Sequence, residues 1–137
     1  MAVIALVTAN RVEVVETNIQ MTLIAAVAIS PGQAVKIDAN GKFALADAAV
    51  GGANARAYGV AVGTKQVAAG MPVTAVRKGV LDGFTFPQAY DAALYLNDAA
   101  GSIGDAAGTV NVVMGRVIPG ISELLGAAFA KLFFVDL

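Results

Sequence analysis

The apolar and polar positions along the chain fall into short runs, most of them rich in β-branched or aromatic residues and closed by Gly, Pro or Asp. This is the punctuation of strands and turns, and no stretch longer than about ten residues keeps a helical stripe. The densest part is residues 58–96. It holds Tyr58-Gly-Val-Ala-Val62, Pro72-Val-Thr-Ala-Val-Arg-Lys-Gly79, Val80-Leu-Asp-Gly-Phe84 and Tyr95-Leu96. The pattern predicts several strands here, with Gly79 closing one run before the next begins.

Upstream, residues 1–20 read as an N-terminal arm or edge strand ahead of a single β domain over residues 21–137. Arg11-Val-Glu-Val14 alternates, and Val15-Glu16 inverts the phase. An inverted phase within a strand signals a bulge or a break. Residues 21–29 are the most apolar run of the chain and predict a buried strand, although a short helix also fits. Pro31-Gly32 marks a turn, and the next strand is Ala34-Val-Lys-Ile-Asp38.

The turn after that strand can be argued in detail. A two-residue loop at Asn40-Gly41 would pair Asp38 with Phe43 and mix charge with core. A three-residue loop over Ala39-Asn40-Gly41, with Gly41 left-handed, pairs Asp38 with Lys42, Ile37 with Phe43 and Val35 with Leu45. It keeps the apolar pairs on one face, and it is the expected geometry.

Residues 47–57 are Ala/Gly-rich and predict a loop or one weak helical turn. Asp98-Ala-Ala-Gly101 and Asp105-Ala-Ala-Gly108 each put Asp and Gly where a type I turn prefers them. Calcium would need six to eight oxygens, more than Asp98, Ser102 and Asp105 supply.

Residues 109–118 alternate most clearly. Val110, Val112, Met114, Arg116 and Ile118 share one face, so Arg116 is expected to be buried with a carboxylate partner. That partner is Asp82 or Asp136 within the chain, or lies across a subunit boundary. Pro119-Gly120 ends the run. Residues 121–128 read as a loop or helical turn, and residues 129–135 as a central strand with two apolar faces. The fold expected is all-β: a small single-domain barrel or sandwich with an extended N-terminal arm and little helix.

Composition sharpens the functional side. The chain has 137 residues, is 58% hydrophobic and only 14% charged, and has a mean hydropathy of +0.72. Typical domains carry about 25% charged residues. A surface poor in charge and rich in small apolar residues suits subunit contacts. The net charge of −1 gives no basic footprint for nucleic acid. The run at 21–29 is too short to cross a membrane, which takes about 20 residues. The N-terminus lacks the positive region of a signal peptide.

Cys and His are both absent. Disulfide and thiol chemistry are therefore excluded, along with the commonest general base and transition-metal ligand. Ser30, Ser102 and Ser122 have no histidine to activate them. Asp82 and Asp91 fit turns better than an acid–base pair. No enzymatic activity, cofactor or small-molecule substrate is expected.

Lys42-Phe-Ala-Leu-Ala-Asp47, Arg56-Ala-Tyr-Gly-Val-Ala-Val62, Ala69-Gly-Met-Pro-Val-Thr-Ala-Val76, Gly79-Val-Leu-Asp-Gly-Phe84, Tyr90-Asp91, Leu94-Tyr-Leu96, Gly115-Arg-Val-Ile118 and Leu132-Phe-Phe-Val-Asp-Leu137 follow one another in an order that resembles the capsid decoration, or cement, proteins of tailed bacteriophages. The resemblance spans roughly residues 30–137.

It implies a compact β domain, usually trimeric, on the outer capsid surface of the virion at three-fold and quasi-three-fold sites. Its partner would be the major capsid protein, whose neighbouring subunits it would staple against the pressure of packaged DNA. The candidate interface residues are Val3, Ile4, Leu6, Val7, Arg11, Glu13 and Glu16 in the N-terminal segment, Arg56 beside the Ala/Gly loop, and Arg116. Two other readings are a shell, tube or fibre subunit that self-assembles, and a carbohydrate-binding β module using Tyr58, Phe84, Phe86, Tyr90 and Tyr95.

Overall fold

The computed structural model describes residues 3–120 and 130–137. Its strands are β1 (Ala5–Leu6), β2 (Glu13–Ile24), β3 (Ala34–Ile37), β4 (Phe43–Leu45), β5 (Gly59–Val62), β6 (Pro72–Asp82), β7 (Phe84–Thr85), β8 (Ala93–Leu96), β9 (Ile103–Gly104), β10 (Val113–Pro119) and β11 (Lys131–Asp136). One 3-10 turn, Gly52–Ala55, sits in the Ala/Gly-rich loop. The fold is all-β, a curled antiparallel half-barrel in one small domain.

β6 is the spine. β2 pairs along nearly its whole length on one edge. The other edge is shared: β5 takes Thr74–Val76 and β11 takes Lys78–Leu81. The sheet therefore divides at Arg77 into two wings, β5-β3-β4 and β11-β10-β8-β9. The wings curl toward each other, and backbone hydrogen bonds tie their outer ends. Ala34 N–H reaches Gly101 O at 2.9 Å, and Gly101 N–H reaches Ala46 O at 2.7 Å. β1 and β7 form a separate small ladder. Ile4 N–H bonds Ile103 O at 2.8 Å beside it.

The main core fills the space between the wings, with Leu81, Leu94, Leu96, Met114, Val117 and Phe133 among its fully buried members. Phe133 meets Phe84 edge-on at 5.2 Å and Phe86 at 6.2 Å. Pairs in this geometry add about 0.5–1.5 kcal/mol each beyond burial. A second cluster, including Ile29, Val35, Phe43, Tyr58 and Val73, lies on the other face of the first wing.

The first hairpin has the three-residue loop expected from its pattern. Val35 opposes Leu45 and Ile37 opposes Phe43. Asp38 N–H bonds Lys42 O at 2.8 Å, and Gly41 is left-handed with φ of 77°. β11 lies between β6 and β10, so it is a central strand. Residues 121–128 and Phe129 lie outside the described residues.

Three expectations are corrected. Gly79 does not close a strand, because β6 runs straight through it. A Cβ there would lie 2.5 Å from Glu16 O, so the glycine allows a close backbone approach by β2. Residues 21–29 are not a buried strand. β2 carries on to Ile24 as an exposed edge, and burial begins at Ala25.

Arg116, the third case, is exposed rather than buried. Pairing between β8 and β10 slips between Val113 and Gly115. That bulge turns Met114 inward and moves the inward phase to Gly115 and Val117, leaving Arg116 outside.

Candidate interaction surface

The N-terminal residues are built into the domain. Val12 is buried in the main core, and its N–H bonds Gly63 O at 2.9 Å. Ile4 is also buried, and Leu6 is half-buried against the same core. Burial of their apolar side chains is what holds the segment down. Val3 and Val7 are exposed. Arg11 and Glu13 satisfy each other, with Nε 3.0 Å from Oε1.

β2 follows as an edge strand. The phase inversion seen in the sequence is a bulge: pairing slips between Val14 and Glu16, and again between Thr17 and Ile19. Val14, Val15, Ile19, Met21 and Ile24 are all exposed, Val15 at 57% and Ile19 at 48%. Among the described residues, no strand pairs with the outer edge of β2. A long edge with unpaired N–H and C=O groups is a template for another chain. Bulges and the charges of Glu13 and Glu16 blunt its first half. The second half, residues 20–24, carries no charge.

A second feature opens where the wings part. Ile37, Ala57, Tyr58, Val112, Arg56 and Arg77 border a cleft of about 510 Å³. The Arg77 guanidinium stands over the Tyr58 ring at 5.6 Å, a cation–π contact. Arg56 is exposed just past the 3-10 turn, and its backbone N–H bonds Ala53 O. Its side chain has no ion pair among the described residues. In the sequence, Arg77 shows only as part of the strand run at residues 72–79. Its position at the parting of two strands depends on which strands share the edge of β6, and no local signal reveals that.

Arg116 pairs within the chain, with Nη1 3.1 Å from Asp91 Oδ1. The partner is neither Asp82 nor Asp136. Asp136 faces Lys78 at 3.7 Å, and Asp82 accepts from Gly83 N–H.

Asp98 does turn chemistry. It accepts from the Thr109 hydroxyl and backbone N–H, each at 2.7 Å. Those bonds, the hydroxyl first, hold its carboxyl below the ordinary aspartate value. Asp38 is lowered likewise, chiefly by the Lys42 backbone N–H. Among the described residues no three His, Cys, Asp or Glu side chains gather as metal ligands.

Of the aromatics named for sugar stacking, Phe84 and Phe86 sit in the core and Tyr58 packs on Phe43, whereas Tyr90 is exposed, with Lys131 Nζ 5.3 Å from its ring centroid. Two surfaces therefore stand out, the bulged edge of β2 and the Arg56–Arg77 cleft. The sequence matches no protein-family model and no curated protein.

Proposed function

We propose that this chain is a structural virion protein that binds the outside of a tailed-phage capsid, as a trimer, and cements neighbouring major capsid subunits. The observation that carries the reading is β2. It is a strand of 12 residues, exposed along nearly its whole length, on a domain whose other long strands are paired on both edges or buried. A protein that functions alone has reason to cover such an edge. A protein that staples others can use it, adding a strand to a partner sheet or laying apolar side chains across a subunit. Many such contacts, each weak, sum strongly when repeated around a symmetric ring. The resemblance of residues 30–137 to decoration proteins supplies the capsid as the partner.

The test is to add purified protein to heads that lack it. Binding with a rise in head melting temperature or pressure resistance is expected. Absence of binding, with no such rise, refutes the reading. The same free edge also suits a subunit that polymerises into a shell, tube or fibre. Electron microscopy of the purified protein separates the two, since such a subunit forms extended polymers without any capsid.

A further inference from the structure

The charges of the chain divide unevenly. Among the described residues, Glu16 is the one Asp or Glu side chain without a hydrogen bond or ion pair. Glu13 is held by Arg11, Asp91 by Arg116 and Asp136 by Lys78. The remaining described carboxylates are engaged by backbone N–H groups, Thr109 or Gln88. Arg56 and Arg77 both lack a carboxylate partner, and they share one apolar cleft. Glu16 in turn stands on the bulged part of β2, flanked by exposed Val15 and close in sequence to exposed Ile19.

The two features complement each other. One is an acidic side chain among exposed apolar residues on an edge that no described strand pairs with. The other is a pair of arginines rimming an apolar recess. Within one chain they stay apart, because β2 follows one edge of β6 and the cleft opens at the other. We propose that residues 15–19 of one copy dock into the Arg56–Arg77 cleft of a second copy, placing Glu16 between the two guanidinium groups. Arginine suits this role because its planar fork binds carboxylates at interfaces. The guanidinium of Arg77, already stacked on Tyr58, is partly ordered before docking.

The two surfaces differ, so the contact is head to tail. Repetition of such a contact closes a ring or extends a filament. A ring of three rests on the decoration reading; the contact itself does not.

The experiment is sedimentation of the full chain at rising concentration and low salt, with thermal melts to verify folding. Wild-type protein is expected to associate, and added salt to weaken the association. Glu16→Arg, or Arg56→Glu with Arg77→Glu, should weaken it at least about ten-fold through like-charge repulsion. The triple reversal should restore it. If Arg77→Glu prevents folding, Glu16→Arg with Arg56→Glu makes the same comparison.

A small closed ring supports both the contact and the decoration reading. An open polymer supports the contact and overturns the decoration reading. A monomer at millimolar concentration overturns the contact and leaves head binding to be judged separately. Association that is indifferent to the reversals, or not restored by combining them, also overturns the contact.

Discussion

At the scale of single residues, backbone conformation and short hydrogen bonds carry the sharpest consequences. Gly41 sits at φ of 77° with nothing near its missing Cβ. Any cost of substitution there is conformational rather than steric crowding. Gly41→Val should destabilise the domain by about 1–2 kcal/mol, because β-branched residues resist the left-handed region. Gly41→Asn should be much milder. Chemical denaturation measures both, and equal stability of the valine variant would refute the loop geometry.

Asp98 offers a pH prediction. Its folded-state pKa lies below the ordinary 3.8. Its contribution to stability is therefore fully present above that value, and is lost as pH falls through the lower folded value. Thr109→Val removes the leading cause. NMR titration should then show the Asp98 pKa moving up toward 3.8, with acid unfolding beginning at higher pH. An unmoved titration would show that the hydroxyl bond does not govern this carboxylate.

At the scale of elements, the contact between β2 and β6 is the most exposed to single changes. Gly79→Ala places a Cβ against Glu16 O and Thr17 Cα, which overpacks the ladder. A loss of about 1–3 kcal/mol is expected. Amide exchange should quicken in β2 more than in β11, since β11 lies on the opposite edge of β6. Uniform protection across both strands would refute the close approach.

The segment before β2 behaves differently from a detachable arm. Ile4 and Val12 are buried, and together they contribute about 3–6 kcal/mol. Removing residues 2–12 should lower the stability of the whole domain as well as any assembly. A truncated protein with an unchanged melting temperature would show that these residues do not hold the core.

At the scale of the whole molecule, one aromatic links the parts. Phe133 is fully buried on the central strand β11 and touches Phe84 and Phe86. Phe133→Ala should cost about 3–5 kcal/mol. The loss should appear as one cooperative shift, because both wings and the β1–β7 ladder close on the same core. Two separate transitions would mean that the wings fold independently. The division of the sheet at Arg77 also sets where the two candidate surfaces lie, with the outer edge of β2 on one side of β6 and the cleft on the other.

Local chemistry was legible in the sequence wherever it acts over a few residues. The hairpin at Asn40-Gly41, the bulge at Val15, the 3-10 turn in the Ala/Gly loop and the central position of β11 follow from alternation, turn residues and runs of apolar side chains. The absence of Cys and His is a property of the sequence itself. The tertiary structure decided what depends on partners distant in the chain. Gly79 looks like a stop until the backbone of Glu16 is seen against it. Arg116 looks buried until the bulge opposite β8 reverses its phase. Residues 21–24 look like core, yet they form an edge because, among the described residues, no strand lies beyond them. Side-chain periodicity shows which residues share a face of a strand. It does not show whether that face, or that edge, meets another strand, and pairing across the long spine of β6 settles that.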